Sequence, residues 1–228
     1  MMADRRTLRL TLQAISQLCS SLKHKYDADV VTEIRRLVST ISTDSLEIRL
    51  PHPSPERYEL YGKLYGADVY EDSTMSCVVF GMKHEGGKIP LHDHQHSFGF
   101  IRVLRGSLRI RSFSFVQDEN KKERNLVSAR FEGEQEVGVS KSDDPDSVVF
   151  LDPIQGNIHE VTALEPGTAF CDVLAPGYVH PINCVYYEET ESIQKPGQLT
   201  HLRAVPPPRD YVTEPLWYRT MGQLFPVQ

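Results

Sequence analysis

Long apolar runs are missing from this chain of 228 residues, and so are closely paired cysteines, internal repeats and any excess of positive charge. No stretch of about 20 apolar residues occurs, so no membrane-spanning helix is expected. The four cysteines, Cys19, Cys77, Cys171 and Cys184, are widely spaced with no Cys-x-x-Cys. That disfavours both a disulfide framework and a zinc ribbon. The opening residues Met-Met-Ala-Asp-Arg-Arg hold no apolar core of a secretory leader, so a non-secreted chain with reduced thiols is expected. Lys and Arg number 25 against 31 Asp and Glu, a net charge of −6, which argues against a generic nucleic-acid binder. What remains, 39% hydrophobic and 25% charged residues, is the composition of an ordinary globular protein. The length suits about one to two domains and lets roughly 70% of the unfolded surface be hidden.

Hydrophobic spacing changes character along the chain. Residues 4–42 read as helical: Leu8, Leu12, Ile15 and Leu18 recur at helical steps, as do Val30, Val31, Ile34, Leu37, Val38 and Ile41. The polar stretch Lys23 to Asp29 breaks them, and Asp44 to Pro55, with three prolines, reads as a linker. From about Tyr65 short β-branched segments take over. Met75 to Met82 reads as a strand. Phe98 to Leu104 and Leu108 to Val116, joined by Arg105-Gly106-Ser107, read as a hairpin. Within the latter strand the apolar phase shifts between Ile110 and Phe113, which a bulge or barrel corner would explain. Gln117 to Asp146 is charged and reads as a solvated excursion with one strand at its centre. Four further strands follow, at Ser147 to Leu151, Gly156 to Leu164, Thr168 to Leu174 and Cys184 to Glu188. The expected fold is mainly β, a barrel or sandwich with a helical cover. Residues 1–55 would form cover and linker, 65–190 the barrel, and 191–228 a Pro-rich tail packed on it through Trp217 and Tyr218.

His92, Asp93, His94 and His96 are the most informative cluster. Alternate residues of a strand share a face, so His92 and His94, about 7 Å apart along the backbone, can converge on one metal ion. His96 would lie about 13 Å from His92 on a regular strand and reads as a solvated loop residue. Asp93, between the two, should point away and do structural work. A third ligand should come from elsewhere, and His159, on a turn leading into a strand, is the best candidate.

The spacing around these residues resembles the cupin motifs. Gly86 precedes His92, Gly106 follows His94, and Gly156 precedes His159. The usual cupin Glu would fall at Phe98 or Gly99, neither of which can ligate. Three neutral histidines leave a divalent ion its full charge, which favours an anionic ligand such as a thiolate. Four stretches then resemble the cysteamine dioxygenase and plant cysteine oxidase family of thiol dioxygenases. They are Ile89 to His94 with Val103 to Leu108, Asn157-Ile158-His159, Phe170 to Tyr178, and Asn183 to Tyr187.

That resemblance implies a cupin (double-stranded β-helix, jelly-roll) barrel holding Fe(II) through His92, His94 and His159. It implies oxidation of the thiol of cysteamine or of a protein N-terminal cysteine to sulfinic acid, with both atoms of O2 and no external reductant. It further implies a role as an oxygen sensor in the N-degron route, a monomer, and a place in the cytoplasm and also the nucleus. Asp172 and Tyr178 would help place the substrate amine. The alternatives are a strand-end acid bonded to backbone and a packed loop tyrosine. Cys184 and Tyr186 hold the positions of a pair that can form a thioether crosslink in animal members; core packing is the other reading. Gln95-His96-Ser97 departs from the family's Pro-Gly-Met, and Pro176-Gly177 from its Pro-Pro. Cys77 and Cys171 read as small buried apolar residues. The rivals are another metal-dependent cupin enzyme with a non-thiol substrate and a non-catalytic cupin binding module.

Overall fold

A computed structural model describes residues 5–22, 26–51, 64–94, 96–117, 125–140, 143–177, 184–209 and 211–218. Both apolar stripes of the N-terminal segment form helices. Helix α1 (Arg5–Leu22) buries Leu8, Leu12, Ile15, Cys19 and Leu22. Helix α2 (Ala28–Ser39) buries Val31, Ile34 and Val38. Asp27 starts α2, its carboxylate accepting from the N–H groups of Asp29 and Val30, two donors that a helix start leaves unpaired. The stretch expected to be linker opens with a one-turn helix, α3 (Thr43–Leu46), closed by a capping box between Ser42 and Ser45. Among the described residues no helix is long and apolar enough to cross a membrane.

Two sheets follow. The first has the order β12 (Thr213–Pro215), β1 (Leu64–Glu71), β2 (Ser76–Met82), β9 (Ala169–Ala175), β4 (Phe98–Arg105), β7 (Val148–Leu151). The second runs β10 (Tyr186–Glu189), β11 (Leu199–Val205), β6 (Leu126–Gly138), β5 (Ser107–Phe115), β8 (Ile158–Ala163), β3 (Lys88–His92). It closes on itself where Tyr186 pairs with His92. From β2 to β5, and again from β7 to β9, successive strands fall on alternate sheets. The chain thus winds as a double-stranded β-helix, the cupin fold.

Strand parity divides the apolar residues between three clusters. Val69, Cys77, Val79, Cys171 and Val173 face outward from the first sheet and meet Leu12, Ile15, Ile34 and Val38 of the helical cover. Ile101, Val103, Leu108, Ile110, Val161 and Phe170 fill the space between the sheets. Leu91, Phe113, Phe131, Ile158, Tyr187 and Leu202 form a third cluster. The switch of apolar phase in β5 is the passage from the second cluster to the third. There the register of β5 with β6 shifts between Ser112 and Phe113, which face Gly133 and Phe131. The extra residue of this bulge, Glu132, lies on β6, while the pairing of β5 with β8 runs on unbroken.

Three expectations need correction. Segments β4 and β5 do not pair as a hairpin: β4 lies between β9 and β7, and β5 between β6 and β8. Gly106 (φ 72°) turns the chain from one sheet to the other; a hairpin turn and a sheet-crossing corner ask for the same left-handed glycine. The charged segment is less of an excursion than expected, because its strand β6 spans 13 residues and lies inside the second sheet; residues 118–124 lie outside the described residues. The stretch from 191 adds β11 to one sheet and β12 to the other. Trp217 does not pack on the barrel, being 88% exposed. Tyr218 packs against the helical cover, its hydroxyl donating to the Leu46 carbonyl of α3 at 2.8 Å with the Arg5 guanidinium of α1 over its ring.

Candidate active site

His92 ends β3 and pairs directly across the ladder with His159 of β8. His94 lies two residues past His92, just beyond the strand. All three are buried, and their ligating nitrogens lie within 4.8 Å of one another. Nε2 of His92 and Nε2 of His94 are 3.0 Å apart. Two nitrogens bound about 2.1 Å from one divalent ion, at right angles, would stand about 3.0 Å apart. The other ring nitrogen is occupied in two of the three: Nδ1 of His92 faces the Pro90 carbonyl at 2.8 Å and Nδ1 of His159 the Asn157 carbonyl at 3.0 Å. An Nδ1–H donated to a carbonyl leaves Nε2 unprotonated, the state a metal ligand needs. Burial, then the neighbouring rings, holds His94 well below the usual imidazole range and His159 down at about 3. Burial lowers His92 as well. The donor set therefore fits a metal ion.

Asp93 points away from this cluster, as strand parity requires. It is fully buried. Its carboxylate accepts from the Tyr187 hydroxyl at 2.8 Å and the Val185 N–H at 2.9 Å, which fastens the segment entering β10 beside the histidines. His96 is exposed with φ 64°, and Ser97 Oγ donates to the Pro176 carbonyl at 3.0 Å.

The histidines open into a cavity of about 190 Å³ whose apolar wall is Phe80, Ile89, Val161 and Phe170. Its polar wall is Asp172, Cys184, Tyr186 and Tyr211. Asp172 sits mid-strand on β9 opposite Val78, so it is not the strand-end acid of the alternative reading. Its neighbours Cys171 and Val173 face the helices, and parity sends Asp172 inward. Burial raises its carboxyl to about 7; a buried carboxyl of this kind gains by meeting a cation. Cys184 is pushed up to about 12 by burial and by Asp93, and burial likewise raises Tyr186. Both side chains line the same cavity, as their spacing requires. Tyr178 lies outside the described residues. Cys77 and Cys171 are fully buried with Sγ atoms 3.2 Å apart.

Tyr211 carries no motif. It comes from the segment before β12, its ring centroid 5.8 Å from that of Tyr186. An aromatic among prolines was the only signal in its stretch, and nothing there points to the cavity. A wider hollow of about 720 Å³ lies on the outside of the second sheet. Its charges pair with one another, Arg111 with Glu134 and Glu189, and Lys88 with Glu160. The inner cavity, where three imidazoles converge, is the candidate site.

Fold and site together define a cupin with a cluster of three histidines, able to hold a metal ion, at one wall of a small cavity. The chain belongs to the PCO_ADO family, whose sequence model matches residues 39–221. It is similar to the 2-aminoethanethiol dioxygenase of Mus musculus, with 28% identity over 179 residues, 71% of this chain and 68% of that protein. The 2-aminoethanethiol dioxygenase of Homo sapiens is 32% identical over 142 residues, 55% of this chain and 52% of that one. Among solved structures, KdgF from Halomonas sp. is 14% identical, covers 57% of this chain and 87% of its own, and has a TM-score of 0.36. Oxalate oxidase in complex with glycolate is 13% identical, covers 60% and 59%, and has a TM-score of 0.37. Family membership makes this chain an oxidoreductase of the thiol dioxygenase class.

Proposed function

We propose that the site holds iron(II) through His92, His94 and His159, and that it oxidises the thiol of a small aminothiol or of a protein N-terminal cysteine to the sulfinic acid with O2. The observation that carries this reading is the placement of three neutral imidazoles and one buried carboxyl on the walls of one small cavity. Iron, when bound, supplies coordination for a thiolate and for O2. The chain supplies the rest. Neutral ligands leave the ion its whole charge, which favours a thiolate over a thiol. Asp172 faces the same space and is placed to pair with the substrate ammonium, the group shared by cysteamine and an N-terminal cysteine. Phe80, Ile89, Val161 and Phe170 exclude water around the carbon chain between those two ends. Tyr186 and Tyr211 bound the pocket on the side of Cys184.

Cysteamine is the substrate in the names of the mouse and human relatives, and supports that choice here. On protein substrates, the sulfinate would mark the chain end for degradation, and turnover would follow the supply of O2. Such an enzyme would work in the cytoplasm or nucleus, where its four unbridged cysteines stay reduced.

The test is intact mass spectrometry. Protein loaded anaerobically with iron(II) is given air with either cysteamine or a Cys-initiated peptide. A gain of two oxygen atoms on either thiol supports the reading and ranks the substrates. Iron bound stoichiometrically with neither thiol oxidised would overturn it.

A further inference from the structure

We propose that Asn157 is the positioning residue of the histidine site, through which His94 is held in register with His159. The inference rests on the reading of the three histidines as a metal centre. The ladder between β3 and β8 reaches as far as His92 opposite His159. His94 lies beyond it, outside any strand; the backbone bonds there are a turn, Ser97 N–H to the His94 carbonyl at 3.0 Å, and one bond of the neighbouring Asp93 N–H to the Val185 carbonyl at 3.1 Å, and none of them meets the His94 N–H.

The side chain of Asn157 stands where that pairing would have been. Its Oδ1 accepts from the His94 N–H at 3.0 Å, and its Nδ2 donates to the His94 carbonyl at 2.9 Å. Both backbone groups of one ligand are thus met by one amide, as a neighbouring strand would meet them. The same Nδ2 lies 3.4 Å from the Ser97 carbonyl and 3.3 Å from that of Asp152. It therefore gathers the loop after His94 and the loop before His159 onto one residue. The backbone of Asn157 acts on the other ligand, its carbonyl facing His159 Nδ1 at 3.0 Å. His92 is oriented separately, by Pro90. Asn157 is 2% exposed, so water cannot replace these bonds without a cavity opening.

The chemistry required is narrow. Aspartate lacks the donor, glutamine is longer by a methylene, and alanine offers neither atom. Because the contact to His159 is made by backbone, it survives a side-chain change. Both short bonds of the side chain go to His94, so the loss should fall chiefly on His94, with the loops at Ser97 and Asp152 loosened beside it.

The experiment uses the full chain without metal, titrated with Co(II) in the presence of a competing chelator and followed by ligand-field absorption. The wild type is expected to bind one Co(II). Asn157→Ala should bind about 10–100-fold more weakly, the usual loss when a group supporting a metal ligand is removed, with an altered band pattern. Ser45→Ala, which breaks the capping box of α3 far from the histidines in sequence, should lower the melting temperature and leave the Co(II) affinity and spectrum unchanged. A purely structural Asn157 would behave like Ser45. If Asn157→Ala binds Co(II) within twofold of wild type with a superimposable spectrum, the inference is wrong. Should the alanine variant not fold, Asn157→Ser, which spans neither pair of His94 bonds, is read against the same two outcomes. Failure of the wild type to bind Co(II) would overturn the metal reading itself, a result distinct from equal binding by both proteins.

Discussion

Asp172 is the residue whose surroundings and chemistry are most at odds. Burial raises its carboxyl from 3.8 to about 7, so between those values the folded chain keeps a proton that the unfolded chain has released. Stability contributed at this position is therefore present at low pH and lost as pH rises through that window. Asp172→Asn removes the loss. In the metal-free protein the variant and wild type should melt together near pH 4. The variant should be the more stable above pH 7, by up to the order of a few kcal/mol, as read by denaturant titration. The same substitution should raise KM for an aminothiol by an order of magnitude or more and leave bound iron near the wild-type level. The fall in wild-type KM as Asp172 ionises on the way to pH 8 should be absent from the variant. A large loss of iron would instead make Asp172 structural. His159→Ala should abolish both iron loading, measured by elemental analysis, and turnover; retained activity would remove His159 from the ligand set.

The elements owe their places to a few residues that admit little substitution. Gly106 makes the corner between β4 and β5 with φ 72°, and a Cβ there would lie 2.4 Å from Thr168 Oγ1. Gly86 has nearly the same φ, 75°, but nothing within 4 Å of a Cβ. Gly86→Ala should therefore cost only the left-handed backbone, about 1–2 kcal/mol. Gly106→Ala should cost more, because Thr168 must also move, and urea titration of the two variants separates these contributions. The helical cover is held by burial: Ile34 of α2 is fully buried against the first sheet, and Ile34→Ala should cost about 2–5 kcal/mol. The site is on the other side of that sheet, so the destabilised protein should keep its metal affinity. Tyr211 reaches the cavity from the segment before β12. Tyr211→Ala should widen the pocket and raise KM for the small thiol more than it lowers kcat.

At the scale of the whole molecule, the closed second sheet and the first sheet enclose the cavity, and β10 forms the seam. The segment entering β10 is tied to Asp93 between the two histidines, so the contact that seats this seam lies beside the site. That closure brings Cys184 and Tyr186 to the cavity wall together. If they form the thioether that the family resemblance implies, protein exposed to iron and O2 should become lighter by two hydrogen atoms. Tyr186→Phe should not change, and intact mass settles the point.

Local geometry made much of this molecule legible in its residues. The apolar stripes of α1 and α2, the positions of β2, β7, β8 and β9, and the three histidines followed from periodicity and motif, because side-chain spacing on a helix or strand is fixed by the backbone. Strand parity also predicted that Asp93 turns away from His92 and His94. Partnership between strands was not legible. The same Gly106 signal serves a hairpin and a crossing between sheets, and only packing of both flanking strands against others chose between them. Tyr211 and Trp217, six residues apart in one Pro-rich stretch, met opposite fates, one lining the cavity and the other in solvent. The sequence by itself determined which side chains could bind a metal and which faces were apolar. The tertiary structure alone decided that His94 is held by the side chain of Asn157, because that contact spans 63 positions of chain and depends on where β3 stops pairing with β8.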